Sequence, residues 1–542
     1  MTKPVGFILL MLFLAAPAAA DTFTVTTTTD AGTGSLRQAM LDANAKQVTN
    51  GSVCAGHTIA FDIAGVGPHT IQPLSPLPMI HIPMAIDGYS QPGAIQNNQP
   101  IGSNAVIAIE IDGSLAGNTD AFVVAAAFTN SGLCPGNTSS FSGLVINRFA
   151  GAAISMGEEL CPPGNFCLCG GVRIWGNYIG TDVTGTQARG NGAVLARAAL
   201  VFGTSSGFNT VGEQTLTDGG SSDPRPEARN VISGNGADGI LIYSTSTVVG
   251  NGSAQTHTIR NNYIGLDASG TAALANGGRG IELGPNSMGM QIFDNLISAN
   301  VGDGIAILDA PLPFTSVIGN GIGIGATGEP LGNGGHGVYV GNAATGVTVG
   351  SRWLFAPINA AISNNADAGV FVDGSAIVDA GNLSSAHNGS LAFDIAPAGP
   401  NANDAGDADP GPNEGLNSPV IDFATADSGG QTGSVGGFLD AVPNSTYEIH
   451  FFYSDACDAG GFGGGQVPYP LSPSPSNITV TTDASGHAAF ARPAQFLPAG
   501  KVLTAVTRAM STIASPTAFM SSEYSNCAVI VGADRIFADG FE

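Results

Sequence analysis

Charge is what this 542-residue sequence has least of. Only 11% of its residues are Asp, Glu, Lys or Arg, and three are Lys; an ordinary soluble domain carries roughly 25%. Helical proteins lean on Lys, Glu and Arg, so this scarcity argues against a mainly helical fold. The charge that exists is one-sided: 41 acidic residues face 16 basic ones, a net of −25. No basic patch can form that would hold a nucleic acid. An acidic polysaccharide would need divalent cations to approach such a surface. Past the first twenty residues no apolar run is long enough for a transmembrane helix. The CxxC…CxxC spacing of zinc sites is missing as well.

Glycine is abundant, with 78 residues, and it recurs in a pattern. The segment Asn230-Val-Ile-Ser-Gly-Asn-Gly-Ala-Asp-Gly-Ile-Leu-Ile242 returns 65 residues later as residues 295–307, and again, weakened, as 360–372. Asn235, Asn300 and Asn365 are in register, as are Gly239, Gly304 and Gly369. A second signature, Asn177-Tyr-Ile-Gly-Thr-Asp-Val-Thr-Gly185, returns at 262–270 and 320–328 and leads each time to an Asn-Gly, at 191, 276 and 333. Short apolar strands punctuated by Asn and Gly predict a stacked solenoid of parallel strands. The interval of 65 corresponds to two or three coils of roughly 22–33 residues. Residues 120–400 then hold about 8–13 coils, in a rod roughly 40–60 Å long. The Asn side chains are expected at corners, bonded up and down the rod.

The first twenty residues read as an export signal: Lys3, an apolar run over 7–16, and Ala18-Ala19-Ala20 before Asp21. The mature chain is expected to be secreted or held at the cell surface. Residues 34–44 give the clearest helix. Ser35 and Gln38 have capping-box spacing, and Leu36, Met40 and Ala43 share a face. Such a helix suits the open apolar end of a solenoid. Seven cysteines follow the signal: Cys54, Cys134, Cys161, Cys167, Cys169, Cys457 and Cys527. In an oxidising compartment most should pair, and Cys457 with Cys527 is the pair expected within the C-terminal segment. Beyond residue 400 the repeat stops, and alternating strands over 446–453, 478–482, 487–490 and 502–506 predict a β-sandwich. Asp483-Ala-Ser-Gly486 reads as a hairpin-like turn. The expected organisation is a signal at 1–20, an N-terminal cap and first coils at 21–120, β-helix repeats at 121–400, an Asp/Pro/Gly-rich junction at 401–415, a sandwich at 416–531 and a tail at 532–542.

Gly34-Ser35-Leu36-Arg37-Gln38-Ala39 resembles the Cys-Ser-Leu-Arg-Glu-Ala motif of a group of exported bacterial right-handed parallel β-helix proteins, with Gly for Cys and Gln for Glu. Ile86-Asp87-Gly88-Tyr89-Ser90-Gln91-Pro92-Gly93, the Asn-Tyr-Ile-Gly repeats and the Asp-rich block 403–414 are similar to that group too. The resemblance implies a secreted or surface β-helix protein. The ending Ile-Phe-Ala-Asp-Gly-Phe-Glu542 looks like one found on exported gammaproteobacterial proteins.

Parallel β-helices host polysaccharide lyases and hydrolases, but a fold does not assign a chemistry. Asn118-Thr119-Asp120 and Gly335-His336-Gly337 resemble polygalacturonase motifs, yet lie far apart in sequence with no Asp-Asp between them. Gly335-His336-Gly337 aligns with Gly278-Arg279-Gly280, which makes His336 a solvent-facing repeat position. Arg173, Arg229, Arg260 and Arg279 are the lyase-type candidates, and Arg is a poor base. Asp182 and Asp267 recur at one repeat position, which predicts turn geometry. Asp404, Asp407 and Asp409 offer hard oxygen ligands for Ca²⁺, which would stiffen the junction. The sequence therefore points first to a non-catalytic exported protein presenting a long surface to a glycan or cell surface, with no nucleic-acid partner and no assigned catalytic residue. The alternative is a polysaccharide lyase or glycoside hydrolase working in a groove along the rod. A cluster of Asp, Arg and His on one face would favour the enzyme, and a plain row of Thr, Ser and Asn the binder.

Overall fold

The structure is a computed structural model. It describes residues 20–532 except 47–55, 126, 129–138, 159–166, 205, 214–224, 246–255, 288, 309–314, 342–343, 351–361, 428, 430–431, 458–460, 470–476, 496 and 513–517. The expected signal and C-terminal tail, with Cys54, Cys134 and Cys161, lie outside the described residues, apart from Ala20 and Gly532 at the two boundaries.

Three parallel sheets run the length of a β-helix. The first has eleven strands, from Thr22–Val25 to Val378–Asp379; the second has ten, from His69–Ile71 to Ser385–Ala386; the third has nine, from Phe122–Val124 to Phe393–Ile395. One coil visits them in turn, as in Arg173–Trp175, Tyr178–Ile179 and Leu200–Phe202. The step from Val231 to Tyr263 to Leu296 in the second sheet shows that the 65-residue interval is two coils. Alternation decides what faces inward. Ile240 and Ile242 are fully buried while Leu241 between them is half-exposed. Stacked aliphatics such as Ile232, Ile264, Ile297 and Ile322 make one core that runs from Val25 to Ile395. The segments 21–120 and 121–400 are thus one continuous solenoid.

Two asparagine ladders hold the corners. Between the first and second sheets, Asn177, Asn230, Asn262 and Asn295 each donate from Nδ2 to the Oδ1 of the next, ending on Asn320, at 2.8–3.1 Å. Between the second and third sheets, Asn191, Asn235, Asn276, Asn300, Asn333 and Asn365 do the same, ending on Asn388. The two signatures of the sequence are therefore alternate coils of the same ladders. Each buried amide also bonds backbone groups, as Asn235 does with the Ile179 carbonyl at 3.1 Å. Polar groups so enclosed must all be paired. Asp182 and Asp267 are turn residues, as expected: Asp182 accepts the Thr186 and Gln187 N–H groups, and Asp267 the Ser269 N–H. In the third copy Gly325 stands at this position, and the Glu329 carboxylate takes over by accepting the Thr327 N–H.

The helix Leu36–Ala45 closes the N-terminal end, burying Leu36, Ala39, Met40 and Ala43 in the rod core. Ser35 caps it by accepting the Gln38 N–H at 3.2 Å. The expected reciprocal bond is replaced: the Gln38 side chain donates to Asp42 instead.

The C-terminal region is a two-layer sandwich, antiparallel except where Val420–Ala426 runs parallel to Ala528–Gly532. Val420–Ala426, Thr432–Asp440 and His487–Gln495 form one layer, and Thr446–Ser454, Asn477–Thr481 and Val502–Met510 the other. Ala528–Gly532 pairs with both. Phe451 meets Phe490 edge-on between the layers. Cys457 and Cys527 form the expected disulfide. The turn at Asp483 is no hairpin, because the strands it joins pair in opposite layers.

This sandwich closes the other end of the rod. Phe452, Val506 and Tyr524 insert into the rod core. The Tyr524 hydroxyl donates to the Leu383 carbonyl at 2.8 Å. Arg508 forks onto Asp379 of the last strand of the first sheet, at 3.0 and 2.9 Å, and also donates to Glu448 at 3.0 Å.

Candidate functional site

The outer face of the third sheet carries a run of ionic and aromatic groups. Its edge is built by a corner device. Asp120 accepts the Ala152 N–H of the next coil at 2.7 Å, Asp238 the Arg279 N–H at 2.6 Å, and Asp303 the His336 N–H at 2.9 Å. The carboxylate needs the space beside the N–H, so the preceding residue is glycine: a Cβ on Gly151, Gly278 or Gly335 would meet the Asp oxygen at 2.0–2.4 Å. Gly335-His336-Gly337 is therefore a structural unit equivalent to Gly278-Arg279-Gly280. Asp120 and His336 sit six strands apart on this sheet, roughly 29 Å at about 4.8 Å per strand. The polygalacturonase-like set is not assembled.

Between these corners the side chains make three groups. Near the N-terminal end, Arg197 bridges Asp120 (3.2 Å) and Glu158, and Glu158 accepts the Tyr243 hydroxyl at 3.0 Å. Burial, with the Glu158 charge beside it, pushes the Tyr243 hydroxyl up to about 12. In the middle, Arg279 donates to Glu282 at 2.5 Å and Asp303 at 3.1 Å. Burial opposes its charge, but the two carboxylates outweigh burial and hold the guanidinium protonated. A guanidinium held in this way is a poor base. Burial raises the neighbouring Asp238 carboxyl, and the Glu282 and Asp303 charges add to that. Toward the C-terminal end, His336 stacks on Phe371 at 4.8 Å and 11°, and Phe371 lies 6.0 Å from Tyr339. Tyr339 donates to Asp373 at 3.1 Å. The His336 ring accepts the Ala368 N–H at Nδ1, which leaves Nε2 to carry the proton.

The structure separates the other arginines from this face. Arg260 is buried against Asp294 at 2.8 Å. Arg229 is buried over the Tyr263 ring and donates to the Gly102 and Pro100 carbonyls. Arg173 is exposed on the first sheet. Glu158, Arg197, Tyr243, Glu282, Tyr339, Phe371 and Asp373 were not singled out in sequence. Glu282, Tyr339 and Phe371 were legible as x in a strand pattern Gly-Ile/Val-x-Ile/Val/Leu that begins at Gly280, Gly337 and Gly369, where x faces outward.

Asp404, Asp407 and Asp409 do converge. Each offers an oxygen within 4.8 Å of the others. Asp404 accepts the Ala408 N–H and Asp407 the Asn417 N–H. Burial and the charges of Asp404, Asp409 and Glu414 push Asp407 up to about 6. Three all-oxygen donors fit Ca²⁺ in chemistry, short of its usual six to eight ligands.

The chain matches no family model and no curated protein. Among the described residues no helix is long and apolar enough to cross a membrane.

Proposed function

We propose that this is an exported, non-catalytic β-helix protein of the Cys-Ser-Leu-Arg-Glu-Ala type, and that the outer face of its third sheet binds a glycan chain. The His336–Phe371–Tyr339 stack carries this reading. Flat rings beside carboxylates suit the apolar faces and hydroxyls of sugars. The acids of the same face are committed elsewhere: Asp120, Asp238 and Asp303 hold backbone N–H groups, and both of its arginines are ion-paired.

The test is retention on immobilised neutral and acidic glycans with and without Ca²⁺, run beside assays for unsaturated uronate and reducing ends. Retention without cleavage supports the reading. Tyr339→Ala with Phe371→Ala should weaken retention about tenfold, given ~0.5–1.5 kcal/mol per aromatic contact. Equal retention in that variant would sink it. The enzyme reading has in its favour the discriminator set out from the sequence, a cluster of Asp, Arg and His on one face: Asp238, Arg279, Glu282, Asp303 and His336 lie side by side. Protein-dependent product that is lost in Asp238→Asn would establish it.

At the junction, Ca²⁺ on Asp404, Asp407 and Asp409 would relieve their repulsion and stiffen the link. Calcium at a hundred times its Kd should add about 2.7 kcal/mol to stability, and Asp407→Asn should abolish that gain. A melting temperature indifferent to Ca²⁺ would remove the site.

A further inference from the structure

A second feature lies on the opposite corner of the rod, between the first and second sheets. Here a shallow, open groove is lined by Tyr89, Ile95, Gln96, Asn98 and Glu227, among others. Its floor is rigid. The Tyr89 ring stacks on Trp175 at 5.6 Å and 28°, and its hydroxyl donates to the Gly176 carbonyl at 2.8 Å. The ring lies across two coil corners, where a Cβ on Gly143 or Gly176 would come within 2.7 Å of it.

The wall is fixed as firmly. Buried Asn97 donates to the Gly102 and Pro226 carbonyls at 3.3 and 3.0 Å and accepts the Gln99 and Asn104 N–H groups at 3.0 and 3.1 Å. Arg229 donates to the Gly102 and Pro100 carbonyls at 2.6 and 2.8 Å. Two buried side chains thus hold an exposed loop in one shape. A preorganised loop loses little entropy on binding. That loop presents the exposed residues Gln96 and Asn98, the latter accepting the Gln99 and Asn104 amides at its Oδ1, and Glu227 lines the groove with them.

We infer that this groove is a binding site for a neutral oligosaccharide. An aromatic floor takes the C–H face of a pyranose. Amides offer both donors and acceptors to hydroxyls, and one carboxylate accepts from a hydroxyl pair. An anionic sugar would face Glu227, with Asp87 also nearby. A wholly apolar ligand would strand the amides. The inference shares a ligand class with the proposed function but concerns a different site and stands without it.

The chain has two tryptophans, Trp175 and Trp353. Trp353 lies outside the described residues, and Trp353→Phe leaves Trp175 as the reporter beneath Tyr89. This full-length variant would be titrated with cellotetraose, maltotetraose, mannotetraose and chitotetraose, with tetragalacturonate as the anionic control. The expected result is a saturable change in emission with at least one neutral tetrasaccharide and none with tetragalacturonate. Adding Gln96→Ala and Glu227→Gln, both at exposed or half-exposed positions, should weaken binding about tenfold or more with an unchanged melting temperature. Silence of every neutral tetrasaccharide up to ~10 mM, a Kd that would mean under about 3 kcal/mol of binding, would overturn the inference. So would equal affinity in the triple variant, or equal binding of tetragalacturonate. Because Trp175 stacks on Tyr89 and stands on the first sheet, loss of retention at the aromatic stack of the third sheet would leave the result unaffected.

Discussion

The two ends of the rod pose the same problem and receive different answers. At the N-terminal end the coil presents Ile59, Phe61 and their neighbours, and one ten-residue helix covers them with Leu36, Ala39, Met40 and Ala43. At the C-terminal end Val372, Phe393 and Ile395 are covered by a separate sandwich, through Phe452, Val506 and Tyr524. A helix supplies a lid from one stripe of local sequence. The sandwich supplies it from residues distant in sequence, and its own core takes in Ile377 of the rod. The first lid adds to its apolar contact an Arg37–Asp30 ion pair and bonds from Arg37 and Asn44 to the Ser75, Pro76 and Met79 carbonyls. The second adds a forked ion pair to Asp379 and a buried carboxylate, Glu523, that accepts backbone N–H groups, because a domain must be oriented as well as attached. The C-terminal domain is therefore an end cap whatever else it binds.

The largest test of this contrast removes the plug. Phe452→Ala and Tyr524→Ala should each cost about 3–5 kcal/mol, and Met40→Ala about 2–5 kcal/mol. The location of the damage separates the ends. In hydrogen exchange, the Phe452 and Tyr524 variants should lose protection at Val370–Val372 and Phe393–Ile395 of the rod. The Met40 variant should lose it at Thr22–Val25 and His57–Phe61. If Phe452→Ala loosened only the sandwich, the sandwich would be a tethered neighbour and no cap.

The same contrast explains what was legible in the sequence. The N-terminal lid was readable because Leu36, Met40 and Ala43 recur at helical spacing and Ser35 marks the start. The ladders were readable because Asn235, Asn300 and Asn365 keep register, although the coil count had to wait for Asn276 and Asn333 to appear between them. The plug was not readable. Phe452 sits in a strand whose alternation looks the same whether it faces the sandwich core or the rod, and Tyr524 lies in an irregular segment between two strands. The aromatic stack was missed for a related reason: His336, Tyr339 and Phe371 come together only by stacking two coils. The acidic triplet was found because its members are neighbours in sequence. The hairpin at Asp483 was misread because a tight turn does not say which layer the next strand joins.

A smaller test uses Glu523, which lies in the seam of the second lid and has no counterpart in the first. It is buried and accepts the Ile395 N–H at 3.0 Å, the Asn401 N–H at 2.8 Å and the Asn401 amide at 3.0 Å. Burial pushes its carboxyl up to about 7, from 4.5; these donors oppose the rise, and the Asp394 charge adds to it. The folded state thus keeps a proton that the unfolded chain releases. Its stabilising contribution is complete below about pH 4.5 and is lost as pH rises through 7, on the order of 3 kcal/mol. Urea unfolding across pH 4.5–8 should show this decline, and Glu523→Gln should remove its part near pH 7, leaving at lower pH the share of Asp407, which burial also raises. Parallel curves for the two proteins would place the pH dependence elsewhere.

The smallest effect is expected at the ion pair that orients the second lid. Arg508 is half-buried between Asp379 of the rod and Glu448 of the sandwich, and its guanidinium lies 3.6 Å over the Phe519 ring. A planar fork fits the Asp379 carboxylate through two bonds at once, which an ammonium cannot reproduce. Arg508→Met should cost about 1–3 kcal/mol, between the values for exposed and fully buried pairs. Arg508→Lys should recover less than half of that. Screening reaches such a seam weakly, so 1 M salt should change the wild-type stability by less than the Arg508→Met substitution does. Full recovery by lysine would mean that only charge is needed here and that the apolar plug alone sets the orientation. Both ends of the rod would then be closed by one principle, and the second lid would differ from the first only in size.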